Sequence, residues 1–233
     1  MVPPRKTIDV YLESGKKRVF AGALEWPGWC RSGKDEQSAM QALLDYAPRY
    51  AKVLRRTPLG FASPPDVSVF RVAEQLEGDA TTDFGAPGKT PKFDARPVHR
   101  RELTRMQTLL VACWKGFDAA VKAASGKELQ KGPRGGGRDL DKIVQHVLEA
   151  DAGYLARIGT TYKVDGKAAQ SDEVARVRRA ILEALSSLAG SEPVQRGPRG
   201  GIRWTPRYYV RRSAWHVLDH AWEIEDRAIT RQR

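Results

Sequence analysis

The chain has 233 residues, enough for one large core or two modest ones. Its two cysteines, Cys30 and Cys113, lie far apart, which excludes a disulfide framework and a thiolate zinc site. The net charge of +12 is spread along the chain with a modest excess in the middle, whereas a dedicated nucleic-acid binder gathers it into a stripe, so small anionic ligands are favoured over nucleic acid.

The N-terminal stretch has no apolar core of a signal peptide, and no run approaches the ~18 apolar residues that span a bilayer. A cytoplasmic protein without a membrane partner is therefore expected. Residues 7–13 alternate and are rich in β-branched and aromatic types, which predicts a strand. Residues 18–26 predict a second, paired to the first as a hairpin. Residues 30–33 read as a loop. Residues 35–55 carry Met40, Leu43, Leu44, Ala47, Tyr50, Ala51 and Leu54 at helical spacing, and Pro48 inside that pattern kinks or splits the helix. Residues 67–76 predict a third strand. The fold class expected is α+β in two domains: a small β-β-α-β sheet domain over 1–77, then an antiparallel, up-down-up-down four-helix bundle over 98–233. Residues 78–97 are rich in Gly, Pro and Thr and read as a linker, long enough also to lie along the second domain.

The bundle rests on four apolar stripes. The first runs through Leu103, Met106, Leu110, Trp114 and Phe117. The second covers residues 140–158 behind the cap Asp139, and the third covers 171–188. The fourth covers 205–227, where Thr205 caps and Pro206 takes the first helical position. His216 and His220 stand four residues apart on that helix, so their rings share one face. His146 lies on the second helix. Neutral imidazole is the commonest metal ligand, and two ligands from one helix with one from a neighbour would leave the open position a catalytic site needs. The same spacing also occurs as plain surface decoration. Asp219, Glu223 and Glu149 are all within helical reach as acceptors for the rings. Trp114, Tyr154, Trp215 and Trp222 read as core, and His99 as surface.

The segment GPRGG occurs twice, at 132–136 and 197–201, each time ahead of a histidine-bearing helix. In such a bundle the two loops lie at one end. Arg134, Arg138, Arg199 and Arg203 would then form a cationic mouth for a carboxylate or phosphate, or simply face water.

Two family resemblances extend these expectations. Residues 18–54, through Pro27, Gly28, Cys30, Gly33, Asp35, Glu36 and Ala39, resemble the HicB-type antitoxin domain, although that family's DNA-binding segment is absent after Leu76. Residues 98–229 resemble the DinB-like family through His146, in the run Ile143, Val144, Gln145, His146, Val147, and through the pair His216 and His220. The DinB-like resemblance implies a divalent metal, zinc or nickel, held by these three histidines. It also implies a thiol-dependent S-transferase, isomerase or hydrolase acting with a low-molecular-weight thiol on a small substrate. The HicB-like resemblance implies the alternative, a non-catalytic binding or regulatory protein on a helical platform. Pairing of the sheet edge, or of the bundle, with a second copy would give a homodimer.

Overall fold

The computed structural model describes residues 7–131, 137–190, 196–197 and 201–228. The fold is α+β, a mixed four-stranded sheet followed by helices. β1 (Ile8–Ser14) and β2 (Val19–Ala23) form the expected antiparallel hairpin, closed by the Gly15 N–H donating to Arg18 O at 2.9 Å. β4 (Phe70–Glu77) pairs with β1 in parallel, and the strand order is β3-β2-β1-β4.

The sheet has one strand more than the β-β-α-β expectation. Residues 30–33, read as a loop, are β3 (Cys30–Gly33), antiparallel to β2. A turn makes this strand. Gly28 takes φ 92°, open to glycine, and the Trp29 N–H closes onto Trp26 O at 3.1 Å. Trp29 is fully buried and its indole donates to Leu43 O at 2.7 Å, which carries the chain back to the free edge of β2. Cys-Arg-Ser-Gly has no apolar alternation, so periodicity gave no sign of it.

The helical pattern of 35–55 splits in two. α1 (Glu36–Asp45) begins at Asp35, whose side chain accepts from the Ser38 N–H. α2 (Ala47–Leu54) follows, with Pro48 in its first turn, where a missing N–H is not needed. Residues 78–97 lie strapped to the rest of the protein. They contain α3 (Ala80–Phe84) and a 3-10 turn (Lys92–Ala95). Glu13 on β1 is fully buried beneath the strap and accepts from Thr82 Oγ1 at 2.6 Å, Gly88 N at 2.9 Å and Lys89 N at 3.0 Å.

Four long helices follow: α4 (Arg100–Ala124), α5 (Leu140–Leu155), α6 (Gln170–Ser187) and α7 (Pro206–Arg227). Among the described residues none is long and apolar enough to cross a membrane. α7 starts as its sequence dictates, with Thr205 accepting from the Tyr208 N–H and Pro206 opening the helix. It is buried on several sides because it packs on α4 and α5 and meets the sheet through Trp215 and Arg211. Trp215 enters a small cluster with Tyr11, Phe20 and Leu24, its ring edge-on to Phe20 at 6.2 Å. On the same side a Cβ at Gly28 would lie 3.1 Å from Ala214 and Leu218, so the β2–β3 turn approaches α7 only as glycine. One continuous apolar core joins Val10 and Leu12 of the sheet, Leu43 and Tyr50, and Leu109, Ile143, Ile181 and Leu218 of the long helices. Each such side chain contributes roughly 1.5–3 kcal/mol on burial.

Candidate metal centre

α7 and α5 bring His146, His216 and His220 together, with ring centroids 4.7 to 5.0 Å apart. One ligand atom from each lies within 4.8 Å of the others. His216 Nε2 is 3.2 Å from His146 Nε2. Two nitrogens bound at ~2.0–2.1 Å to one tetrahedral ion stand about 3.3 Å apart, so this pair is already spaced for a shared ion. The three imidazoles could hold a metal ion.

The electrostatics favour the neutral form, the one that ligates, at His146 and His216. Burial holds the pKa of His216 well below the usual imidazole range, and the charges of His220, Arg212, His146 and Arg138 push the same way. The pKa of His146 is lowered first by burial, then by His220 and Arg138.

A second layer orients one ring. His220 Nδ1 is 2.8 Å from Glu223 Oε2, which turns Nε2 toward the cluster. Glu223 is in turn bound by Arg227, and its carboxyl is held below the usual range by His220 first and by Arg227. Arg227 then reaches across to the chain ahead of α5. Its Nε donates to Gln130 O at 2.8 Å and its Nη2 to Arg138 O at 2.9 Å. His220, Glu223 and Arg227 succeed one another at helical spacings of three and four, so the relay was present in the sequence. Spacing alone could not choose Glu223 over its rivals. Asp219 pairs instead with Arg31 at 2.8 Å, and Glu149 accepts from Gln145 at 2.9 Å. His216 has no such partner: its Nδ1 is buried and unbonded among the described residues.

The surroundings differ in part from what the sequence suggests. Tyr154, assigned to the core, is half-buried with its ring 5.9 Å from His216, and Trp204 lies 5.0 Å beyond it. Arg212, not singled out from sequence, lies over Trp215 at 4.7 Å and Tyr154 at 5.9 Å while donating to Pro87 O at 2.8 Å. Of the four arginines of the expected mouth, Arg138 is exposed and its charge reaches two of the histidines. Arg203 is placed differently: its Nη1 donates to Ala156 O at 2.6 Å, and it packs on Gly159 and Gly197. Arg134 and Arg199 lie outside the described residues. Trp114, Trp215 and Trp222 are core, and His99 is exposed just ahead of α4. Cys30 and Cys113 are free and buried, and burial pushes the Cys30 thiol up to about 12. No family model, no curated protein and no solved structure matches this chain.

Proposed function

We propose that this protein is a divalent-metal enzyme of the DinB-like kind, with α4–α7 as an up-down-up-down bundle and zinc or nickel held by His146, His216 and His220. The observation that carries the reading is the convergence of three imidazoles from two helices, with one ligand atom of each within 4.8 Å of the others. Such a site has three protein ligands and keeps a further position open, the pattern of catalytic rather than structural centres. A metal bound there would supply Lewis acidity and lower the pKa of a thiol or water reaching it. The chain's own residues do the rest. Glu223, braced by Arg227, fixes the tautomer and direction of His220. Arg138 supplies positive charge beside the histidines and favours a small anionic substrate or a low-molecular-weight thiol with a carboxylate. Tyr154 and Trp204 give an apolar wall that limits water on one side. The reaction class is transfer of the thiol, isomerisation or hydrolysis of an adduct.

One observation favours a second reading. The 3.2 Å spacing of His216 and His146 is also that of a hydrogen bond, as in a non-catalytic helical platform carrying an antitoxin-like sheet. Metal content by plasma mass spectrometry separates the two, using untagged protein beside the His216→Ala, His220→Ala double variant. About one equivalent of zinc or nickel in the first and none in the second is expected. No metal in either, even after loading and dialysis, would leave the platform reading. Thiol-transfer assays come after a positive result.

A further inference from the structure

A groove of about 1240 Å³ runs along α4, between α2 with the loop after it on one side and α6 on the other. None of the three clustered histidines lines it. Its floor is a run of small residues on α4, Ala112, Gly116, Ala119, Ala120 and Ala123, which recur about once per turn with Ala119 and Ala120 side by side. Val111, Leu182 and Trp222 add apolar lining. The rim is cationic: Lys52, Arg55, Arg56 and Lys115 line it and all four are exposed. Arg49, also on the rim, is already paired with Glu225 and Asp226, but these four have no ion pair among the described residues. Glu183 on α6 is the acidic residue facing them without a pair among the described residues.

We infer that this groove receives an amphipathic α-helix of a partner protein, one whose apolar stripe is bordered by Asp and Glu on the side that faces α2. Three features select that occupant. A floor of small side chains lets a helix axis approach closely, with its larger residues filling the trough. A helix with its side chains is ~10–12 Å wide, so the volume takes roughly seven to ten residues of it. The unpaired cations Lys52, Arg55 and Arg56 on the α2 wall, with Lys115 beside the floor, complement carboxylates on the flank of the stripe that faces α2, while the α6 wall offers Glu183 instead. A second copy of this chain would set the same basic rim against itself. A bilayer is flat and does not reach the floor of a trough.

The test uses the full chain and a fluorescein-labelled peptide of about 18 residues, long enough to be helical, made of Leu, Ala and Glu with leucines at helical spacing. Its control is a scrambled peptide of the same composition. Anisotropy titrations at low salt read the affinity. The ordered peptide is expected to bind saturably and at least about tenfold more tightly than the scrambled one. Two variants, Arg55→Glu with Arg56→Glu, and Ala119→Arg on the exposed floor, are each expected to weaken binding about tenfold while thermal midpoint and metal content stay as in wild type. Several results would overturn the inference: no saturable binding, equal binding of the two peptides, unaffected variants, or displacement of the peptide by anionic phospholipid vesicles.

Discussion

Two buried polar side chains of α7, Arg211 and His216, are accommodated in opposite ways. Arg211 is all but fully buried and each of its three side-chain nitrogens is bonded. Asp94 accepts from Nε at 2.6 Å and Nη2 at 2.8 Å, while Ala23 O and Leu24 O accept at 2.8 and 2.7 Å. Burial opposes that charge, but Asp94 outweighs it and holds the guanidinium protonated above its usual range. Arg207, one turn earlier, is likewise bound by Glu102 and by the carbonyls of Arg96 and Pro97. His216, five residues after Arg211, keeps a buried Nδ1 with no partner among the described residues, and its other nitrogen faces a second imidazole. A saturated network is architecture. Converging lone pairs left unanswered are a place for a ligand.

The largest effect should come from breaking the Arg211 network. Asp94→Ala leaves the Arg211 charge buried and alone, and should cost about 3–5 kcal/mol in urea unfolding at neutral pH. The double variant Asp94→Leu, Arg211→Met should recover most of that loss, since a packed apolar pair needs no partners. A single variant that unfolds like wild type would mean that the contact between strap and helix is not holding the protein together.

Asp151 sharpens the comparison, because it is unanswered without being a convergent site. Its Oδ1 and the nearby Arg178 Nε are buried without partners among the described residues. Burial raises the Asp151 carboxyl to about 7, against an opposing pull from Arg178. The unfolded chain loses this proton near pH ~3.9, the folded one not until pH about 7. The folded state therefore binds the extra proton between those values, and stability falls as pH rises through that window, by up to about 4 kcal/mol, then levels off. Asp151→Asn should remove this slope and be the more stable protein at pH 8. Parallel stability profiles for the two proteins would refute the burial argument.

Within the candidate centre, Glu223→Gln should weaken zinc or nickel about 10–100-fold in competition with a chelator, with little change in unfolding of the metal-free protein. An unchanged affinity would show that His220 needs no orienting partner. The smallest effect belongs to the start of α7. Thr205→Ala removes the acceptor for the Tyr208 N–H and should cost about 1 kcal/mol, because the helix is held by its buried faces far more than by its cap.

Local signals made much of this legible. Thr205 and Pro206 marked the start of α7, His216 and His220 shared a face by spacing, and Pro48 announced the break between α1 and α2. Long-range contacts decided the rest, and one sequence cannot display them. β3 exists because Trp29 is anchored to Leu43 O, not because Cys30–Gly33 looks like a strand. The strap over Gly88 and Lys89 lies down because Glu13, a residue of an ordinary alternating strand, points beneath it. Glu223 is one of three equal acceptors by spacing, and only the brace from Arg227 sets it apart.

The Arg211–Asp94 pair also bears on how the chain can be cut. A break at Pro97 or Val98 crosses no strand and no long helix, and looks like the natural seam. A fragment from Val98 onward would nonetheless carry the guanidinium without its carboxylate and without the carbonyls of β2 and the residue after it. The complementary fragment would carry a carboxylate made for a helix it no longer has. For grafting, truncation or fusion, the portable unit is therefore the stretch from β1 through α7, taken whole.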